Sequence, residues 1–515
     1  MSADRLDSLT SWRADWAGLR VAVLGLGVTG FAVADTLAEL GATVLVIAGR
    51  PDEDRERILE VIGVEMVVEP DAAAVPIELE QLAPELVVVS PGYHPDHRLV
   101  RWAEDRGTPI WGDIELAWRL RDKVEPAAEW MLITGTNGKT TTTGMTAHLL
   151  RTAGLRAVEA GNIGVPVLDA IRDPQGFDAI VVELSSYQLH RMPIDGPGAV
   201  VPLASVCLNV ADDHLDWHGS AQAYAAAKAR VYANTRIACV YNRADEVTMQ
   251  MVEQADVQEG CRAIGFGLGS PGPSDLGVVD GIVVDRAFLD DRHDTALELT
   301  TLQRLAAAGI ASPHMAANAI AAAALARAVG VRPGDVRDGR AGFAVDHHRT
   351  EVVLVAGGVS WVDDSKATNP HAADAALRSF GSVGSGGSVV WLVGGLLKGV
   401  DIAPLVAAHA GRLRAAVVLG DDREAVLAAF ARHAPGIPVR EALPGEDGAV
   451  MPVAVRLAAD LVEPGDVVLL SPAAASMDQF ADYADRGRRF AAAVHERFGG
   501  AGDDGNPTDL PLDRA

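Results

Sequence analysis

The chain has little cysteine, few basic residues for its acidic ones, and no long apolar run. Its three cysteines, Cys207, Cys239 and Cys261, form no C-x-x-C pair, so we predict neither a disulfide framework nor a zinc site. Net charge is −26, from 44 Lys and Arg against 70 Asp and Glu, which argues against a nucleic-acid partner. The N-terminus lacks a basic stretch followed by an apolar core, so we expect no signal peptide and no membrane span.

The length of 515 residues is too great for one hydrophobic core and predicts about three domains. A composition of 49% hydrophobic and 22% charged residues is typical of a soluble globular protein. Changes in periodicity and Pro/Gly content place the domains at 1–125, 126–345 and 346–498. The Gly/Asp/Pro-rich tail at 499–515 is predicted to be disordered.

The first segment reads as a strand, a glycine turn, a helix and a second strand, which begins a doubly wound α/β domain. Its turn, Gly25 to Gly30, matches the dinucleotide fingerprint G-x-G-x-x-G. An NAD site needs an acidic residue at the end of the second strand, and Ile47-Ala48-Gly49-Arg50 has none. NAD is therefore disfavoured, while two readings stay open: another diphosphate at the helix N-terminus, or a tight turn that binds nothing.

A phosphate-binding loop is predicted at the start of the second domain. An apolar strand at 131–133 runs into Thr134-Gly135-Thr136-Asn137-Gly138-Lys139-Thr140-Thr141, and a helix follows to about Thr152. The glycines let backbone N–H groups converge on phosphate oxygens, Lys139 adds a positive charge, and the Thr140 hydroxyl can hold Mg²⁺. The glycine spacing is two residues shorter than the standard Walker A pattern.

Two further strands end near polar residues. The strand at 177–183 finishes on Glu183, where a Walker-B type Mg²⁺ ligand would lie, although a solvated strand end is the simpler alternative. The strand predicted at 205–210 leads to His214 among acidic residues. That histidine is either a metal ligand at the ligand edge or a surface group.

Two Ala-rich helices carry isolated polar residues. Lys228 lies in a helix predicted at 224–234, where it is either solvated or, if it faces a cleft, reactive through a lowered pKa. His314 and Asn318 share one face of a later helix. Capping explains His314 but not Asn318, which lies deeper in the helix.

The third segment alternates strands and helices again, which predicts a second doubly wound domain. Its polar turns follow strands, as Asp364 to Asn369, Gly394 to Lys398 and Ser471 to Ser476 do. Ligands collect at the carboxyl edge of such sheets, so this domain is also predicted to bind a ligand.

With these motifs in order, the chain resembles the Mur ligases, the cytoplasmic ATP-dependent amide ligases of peptidoglycan synthesis. The shortened loop Thr134 to Thr141 is similar to theirs, and Asp364-Ser365-Lys366-Ala367-Thr368-Asn369 resembles the motif of members that add D-glutamate to UDP-N-acetylmuramoyl-L-alanine. The likeness runs from about Arg20 to Phe490. It implies a UDP-binding Rossmann-like domain, a central P-loop ATPase-like domain and a C-terminal Rossmann-like domain.

The resemblance also implies a role for individual residues. The catalytic residues would be Lys139, Glu183, His214 and Lys228. Two Mg²⁺ sites are implied, one held by Thr140 and Glu183, the other by His214 and by Lys228 if it is carbamylated. ATP, a co-substrate, would contact Gly135, Thr136, Asn137, Gly138, Lys139, Thr140, Thr141, Asn318, Arg349 and Asp364.

The other two substrates are assigned in the same way. The UDP-linked substrate would contact Gly27, Val28, Thr29, Arg50 and Asn162, and D-glutamate would contact Thr368, Lys398, Ser476 and Tyr483. The family often has an acidic residue for uracil near Ala48 or Gly49, where this chain is neutral. It also has a cysteine where this chain has Ala474.

We therefore expect a cytoplasmic, monomeric ligase that binds small molecules and neither nucleic acid nor membrane. The nearest alternatives are a Mur-type ligase for another amino acid and a folylpolyglutamate synthase-like ligase, which lacks a comparable first domain. An NAD-type oxidoreductase leaves the phosphate loop unexplained. A non-enzymatic nucleotide switch gives no joint role to Glu183, His214 and Lys228.

Overall fold

The computed structural model describes residues 2–50, 52–69, 75–310, 312–339, 348–380, 388–445 and 449–499. Three β-sheets follow one another along the chain. The chain divides into two compact units. The first unit comprises Met1–Val210 and Gln222–Ala344, and the second comprises Ala211–Ala221 and Val345–Ala515.

The first sheet is wholly parallel, with the strand order β3-β2-β1-β4-β5 of a doubly wound fold. Its strands are β1 Arg20–Leu24, β2 Thr43–Ala48, β3 Glu65–Val68, β4 Leu86–Val89 and β5 Ile110–Trp111. Its helices are α1 Ser2–Ser8, α2 Val28–Glu39, α3 Glu53–Val61, α4 Ile77–Leu82, α5 Arg98–Asp105 and α6 Asp113–Arg119. The strand order reverses between β1 and β4, which places the glycine turn after β1 where such sheets bind ligands.

The second sheet has nine strands in the order β14-β13-β12-β11-β10-β9-β6-β8-β7, and the strands from β7 to β12 are parallel. Its strands are β6 Glu129–Thr134, β7 Ala157–Gly161, β8 Ala179–Glu183, β9 Ala204–Cys207, β10 Ala238–Asn242, β11 Arg262–Phe266, β12 Asp275–Val279, β13 Ile282–Asp285 and β14 Leu297–Thr301. The helices of this stretch are α7 Lys139–Thr152, α8 Val167–Arg172, α9 Ser186–Arg191, α10 Leu215–His218, α11 Ala221–Ala229, α12 Glu246–Glu253, α13 Leu302–Ala307, α14 Pro313–Val329 and α15 Pro333–Asp338.

The third sheet, in the second unit, has the order β15-β16-β20-β17-β18-β19. Its strands are β15 Glu351–Ala356, β16 Val359–Asp363, β17 Val389–Gly394, β18 Leu413–Leu419, β19 Val439–Glu441 and β20 Val467–Leu470. Its helices are α16 Pro370–Ser379, α17 Ala403–His409, α18 Glu424–His433, α19 Met451–Ala459 and α20 Tyr483–Phe498. The pair β15–β16 is an antiparallel hairpin, and the other pairs are parallel.

The central strands of the second sheet have mainly apolar interiors because helices cover both of their faces. In β6, Met131, Leu132 and Ile133 are each 0% exposed. One continuous core runs from Leu6 to Met251 and draws side chains from the first and second sheets. The phosphate loop therefore follows a strand held rigidly inside the first unit.

Several sequence expectations need correction or lie outside the described residues. The strand predicted at 205–210 ends at Cys207, because the next residues turn to bond the phosphate loop. The helix predicted at 224–234 spans Ala221–Ala229 and ends in a 3₁₀ turn. The cap of α14 is Ser312 rather than His314. The domain boundary near 345 and the tail at 500–515 lie outside the described residues. Among the described residues, no helix is long and apolar enough to cross a membrane.

Candidate active site

The turn after β1 exposes a helix N-terminus at the carboxyl edge of the first sheet. Gly25 has φ +101°, a conformation that favours glycine, and the Gly25 carbonyl leaves no room for a side chain at Gly30. The backbone N–H groups at the start of α2 can therefore face an anionic group. Of the predicted UDP contacts there, Gly27, Val28 and Arg50 are exposed and Thr29 is half-buried.

The predicted phosphate loop connects β6 to α7. Gly135 and Gly138 both have positive φ angles, +152° and +85°. Lys139 lies in the first turn of α7 and folds back so that its Nζ donates to the carbonyls of Gly135 and Thr136, at 3.0 and 2.9 Å. The lysine is thus held over the loop, where its charge can meet a phosphate group.

A clamp residue that the sequence did not suggest fixes this loop. Asn209, just beyond β9, accepts from the Asn137 backbone N–H at 2.8 Å, and its Nδ2 donates to the Asn137 carbonyl at 3.0 Å. The Thr136 N–H also donates to the Asn209 carbonyl, at 2.9 Å. The loop is therefore held in one conformation by a neighbouring strand.

Asn318 packs against the end of the same loop. It is 6% exposed in the middle of α14, and a Cβ placed on Gly138 would lie 2.5 Å from its Oδ1. The structure thus explains a polar residue deep in an Ala-rich helix, because α14 packs on α7 beside the phosphate loop. Thr140 is half-buried, and the buried Thr141 hydroxyl has no hydrogen-bond partner among the described residues.

Lys228 is buried rather than solvated, with 1% exposure. Its Nζ donates to the Gly135 carbonyl at 2.9 Å and approaches the Thr134 hydroxyl at 3.4 Å. The same Nζ lies 4.7 Å from the ring centre of Tyr224, whose hydroxyl bonds the Thr136 hydroxyl at 3.0 Å. Lys228 and Lys139 therefore both bond the first glycine of the loop.

Glu183 offers an unsatisfied carboxylate oxygen. It ends β8, the neighbour of β6, and is 1% exposed. Its Oε1 accepts from Asn162 Nδ2 at 3.0 Å, whereas its Oε2 is buried with no hydrogen-bond partner in the described part of the chain. A buried, partnerless carboxylate oxygen is costly, and a divalent cation would satisfy it.

The protein does not supply a complete metal cage by itself. No group of three or more His, Cys, Asp or Glu side chains within the described ranges is placed to hold a metal ion. A Mg²⁺ ion at Glu183 would take its other ligands from hydroxyl, phosphate and water oxygens, as is common for Mg²⁺ at nucleotide sites. The residues present fit such an ion.

In the second unit, His214 belongs to a polar cluster around Asp213. Lys398 Nζ lies 3.1 Å from Asp213 Oδ1 and 3.3 Å from His214 Nε2, and Asn369 Nδ2 donates to Asp213 Oδ2 at 3.3 Å. His214 and Lys398 both have positive φ angles, 53° and 54°. Such strained non-glycine residues often mark functional sites. His214, the predicted metal ligand, and Lys398, the predicted D-glutamate contact, thus both lie against Asp213.

Asp364 is a buried carboxyl group at the carboxyl end of β16. It accepts from the Ser471 hydroxyl at 2.8 Å and from the Thr350 backbone N–H at 3.1 Å. Burial raises the pKa of Asp364 to about 7, and the Ser471 hydrogen bond and the Arg349 charge only partly oppose this. Its charge therefore changes near neutral pH.

The predicted glutamate contacts gather on three neighbouring strands of the third sheet. Thr368, Lys398 and Ser476 follow β16, β17 and β20, which lie side by side. The loops after β17 and β20 pair through Leu396 and Ala475, with two backbone bonds of 2.9 Å. Tyr483 begins α20, and its carbonyl accepts from the Ser365 hydroxyl at 2.8 Å.

A buried arginine that the sequence did not suggest supports these loops. Arg486 is 1% exposed and donates to the Ser365 hydroxyl, the Ser365 carbonyl and the Ala474 carbonyl, at 2.9, 2.8 and 3.1 Å. Burial lowers its pKa to about 10, although nearby aspartates oppose this. It joins α20 to the turns after β16 and β20.

The fold and the loop after β6 define a nucleotide-binding α/β protein with a shortened phosphate loop. Comparison with known proteins identifies the family within this class. The Mur ligase middle domain matches residues 133–326, and the Mur ligase glutamate ligase domain matches residues 348–474. This chain belongs to the Mur ligase family.

Curated relatives match along nearly the whole chain. A UDP-N-acetylmuramoylalanine--D-glutamate ligase of Leifsonia xyli subsp. xyli is 62% identical over 99% of this chain and 99% of its own length. Proteins of the same name from Streptomyces avermitilis and Mycolicibacterium smegmatis are 49% and 43% identical. They cover 93% and 94% of this chain, and 98% and 97% of their own lengths.

Solved structures agree on the fold. The UDP-N-acetylmuramate-alanine ligase of Thermotoga maritima superposes with a TM-score of 0.54 at 19% identity, over 93% of this chain and 99% of its own. A pseudomurein peptide ligase type C from Methanothermus fervidus gives 0.55 at 15% identity, over 93% and 100%. At this identity the likeness concerns the fold alone.

Proposed function

We propose that this chain is an ATP-dependent ligase that joins D-glutamate to UDP-N-acetylmuramoyl-L-alanine in peptidoglycan precursor synthesis. The observation that carries the substrate assignment is the 62% identity to a ligase of that name along 99% of both chains. The geometry supports nucleotide chemistry, because Lys139 lies over the phosphate loop and Glu183 presents an unsatisfied oxygen.

The reaction has two displacements. The terminal carboxylate of the UDP-linked substrate attacks the γ-phosphorus of ATP, the bond to the bridging oxygen breaks, and ADP leaves. The amine of D-glutamate then attacks the acyl carbon of the acyl phosphate and loses a proton, and inorganic phosphate leaves. Such steps need alignment and charge neutralisation more than a protein nucleophile.

The residues of the first unit would hold and orient ATP. Lys139 would contact the β- and γ-phosphates, with the loop N–H groups around them. Thr140 and Glu183 would hold one Mg²⁺, which neutralises phosphate charge when bound. Asn318, which lies against Gly138, would contact the nucleotide from the α14 side.

Lys228 is proposed to become carbamylated. Its Nζ donates to two protein oxygens in the present arrangement, which suits an ammonium group. A carbamate keeps one N–H on the same nitrogen, which can still donate to the Gly135 carbonyl, and it adds two oxygens that can bind a cation. His214 and the carbamate would then serve a second Mg²⁺.

The remaining substrates are assigned by the family resemblance. Arg349 and Asp364 would contact ATP, and Asn162 would contact the muramoyl group. Gly27, Val28, Thr29 and Arg50 would hold the uridine diphosphate end. D-Glutamate would be held by Thr368, Lys398, Ser476 and Tyr483. We also infer a monomeric, cytoplasmic enzyme.

An omission assay tests the function. Purified protein with Mg²⁺ should release phosphate only when ATP, UDP-N-acetylmuramoyl-L-alanine and D-glutamate are all present. L-Glutamate, L-alanine and a diamino acid serve as controls for the amino-acid substrate. Release with L-glutamate, or none with D-glutamate, would overturn the assignment.

The modification of Lys228 has its own test. Lys228→Ala should lose phosphate release and partly regain it with added short carboxylates, which can replace the carbamate oxygens. Intact-mass measurement of the wild-type protein under carbon dioxide adds an independent readout. Activity untouched by the substitution would show that Lys228 is only a buried structural lysine.

A further inference from the structure

We propose that Asp113 is a positioning residue that sets the distance between the regions that bind the two ends of the UDP-linked substrate. It does so by joining the carboxyl edge of the first sheet to the carboxyl edge of the second. This inference rests on the proposed function. It assigns a role to a residue for which neither the loop motif nor the family resemblance gave one.

The joining bond lies between the first turns of two helices, each of which follows a strand. Asp113 is the first residue of α6, directly after β5, and its Oδ2 accepts from Gln188 Nε2 at 2.9 Å. Gln188 lies in α9, which begins three residues after Glu183 ends β8. Parallel sheets bind ligands on this edge, so the bond connects the two predicted ligand edges of the first unit.

The orientation of the Gln188 amide is fixed by its other partners. Its Oε1 accepts from the backbone N–H and the hydroxyl of Ser185, both at 3.1 Å. The Gln188 N–H in turn donates to the Ser185 hydroxyl at 3.2 Å, which completes a capping box. The amide nitrogen is therefore directed at Asp113, and the bond tethers the turn that carries Glu183.

Both partners are buried, so losing the hydrogen bond between them is costly. Asp113 is 6% exposed and Gln188 is 4% exposed. Removing one partner leaves a buried polar group that water cannot satisfy, so the first turns of α6 and α9 would move to relieve it. The displacement would fall on the ligand edges rather than on the strands.

Other links between the two sheets lie elsewhere in the first unit. Arg172 of α8 contacts Asp35 and Glu39 of α2, at 2.6 and 2.8 Å. These side chains are 19 to 40% exposed, and they join the C-terminal halves of two helices rather than helix N-termini that follow strands. They offer a matched control, in which an inter-sheet carboxylate is lost away from the ligand edge.

Loss of the Asp113 bond should weaken binding most for a substrate that is bound at both sheet edges. Its uridine diphosphate end is assigned to the turn after β1, and its muramoyl end to Asn162, which bonds Glu183. Within the first unit, the residues assigned to ATP all belong to the loops and helices around the second sheet. The KM for the UDP-linked substrate should therefore rise more than the KM for ATP, which depends on the turn at Glu183 but not on the first sheet.

Steady-state kinetics of purified full-length variants test this split. Asp113→Ala should raise the KM for UDP-N-acetylmuramoyl-L-alanine about tenfold, as expected for loss of a buried hydrogen bond to a charged group. Asp113→Asn keeps an oxygen that accepts from Gln188 and should stay within about threefold of wild type. Asp35→Asn, the control, should leave all three KM values unchanged.

The outcomes separate this inference from the function on which it rests. Asp113→Ala with wild-type constants, or with equal increases in KM for all three substrates, would overturn the positioning role. Wild-type protein that releases no phosphate would overturn the function instead. If Asp113→Ala does not fold, Asp113→Ser, which keeps a polar side chain but is too short to reach Gln188, must show the same split.

Discussion

Glu183 is the residue whose charge should matter most to nucleotide chemistry. Glu183→Gln keeps the oxygen that accepts from Asn162 and removes the negative charge at the partnerless Oε2. Phosphate release should fall at least about 100-fold, because a divalent cation at this position loses its anionic ligand. The measurement is the rate of release as a function of Mg²⁺ concentration.

A carboxylate on the neighbouring strand provides the control for Glu183. Glu159 lies on β7 and pairs with Arg151 at 3.1 Å on the surface. Glu159→Gln should retain wild-type release and Mg²⁺ dependence. Equal rates for Glu183→Gln and wild type would remove Glu183 from the metal site.

Asp364 should make the second unit less stable as pH rises. Its pKa is raised by burial to about 7 in the folded chain, against about 3.9 when unfolded. The folded state therefore favours the protonated form, and its stabilising contribution falls as pH rises toward 7. Between pH 5 and pH 8 the free energy of unfolding should fall by about 3 kcal/mol from this group.

The comparison with Asp364→Asn isolates that contribution. The amide does not titrate, so the variant should lack this part of the pH dependence. Calorimetric unfolding of both proteins at pH 5, 6, 7 and 8 measures the difference. Parallel pH dependence of the wild type and the variant would show that Asp364 stays charged when buried.

At the scale of elements, Gly138 sets how closely α7 and α14 approach at the phosphate loop. Gly138→Ala adds a side chain at φ +85° and places it 2.5 Å from Asn318. We expect at least about tenfold weaker nucleotide binding, because the loop or α14 must shift, and about 1–2 kcal/mol lower stability from the backbone strain. Binding of a non-hydrolysable ATP analogue, measured by calorimetry, checks this.

Gly154 separates strain from collision in that experiment. It follows α7 with a similar φ of +88°, yet a Cβ there would meet nothing within 4 Å. Gly154→Ala should lower stability by a similar amount and leave nucleotide affinity intact. Equal losses of affinity in both variants would show that backbone strain, rather than contact with Asn318, limits binding.

The sequence predicted elements well where the signal was local. The apolar run at 131–133 lies inside β6, the strand predicted to finish on Glu183 does so as β8, and the glycine spacing located the turn from β6 to α7. The strand end predicted at 210 is too late because Asn209 bonds Thr136 and Asn137 of the phosphate loop instead of continuing the strand. A window of neighbouring residues contains no information about such a distant partner.

Site residues outside any motif could not be predicted for the same reason. Asp213 meets Lys398 across 185 positions of sequence, Asp113 meets Gln188 across 75, and Asn209 meets Asn137 across 72. Each is a short polar side chain whose role comes from a tertiary contact. Lys139 and Glu183, by contrast, follow strands in a pattern that the sequence shows directly.

For the whole molecule, three alternations of strands and helices predicted the three α/β sheets, but not their strand orders. The position of β8 between β6 and β7 depends on which crossover packs best, and no local pattern encodes that choice. Within the first compact unit, one core joins the first and second sheets. The domain limits at 125 and 345 stay predictions.

Two compact units predict two unfolding transitions, and nucleotide should shift the transition of the first unit. The loop residues and Asn318 lie in the first unit, so a Mg²⁺-bound ATP analogue should raise the unfolding temperature of that unit. At 100 times its dissociation constant the ligand adds about 2.7 kcal/mol to the stability of the state that binds it. The calorimetric transitions can be assigned beforehand with Gly154→Ala for the first unit and Asp364→Asn for the second. Glu183→Gln should shrink the shift, whereas a shift confined to the second unit's transition would contradict nucleotide binding at the loop after β6.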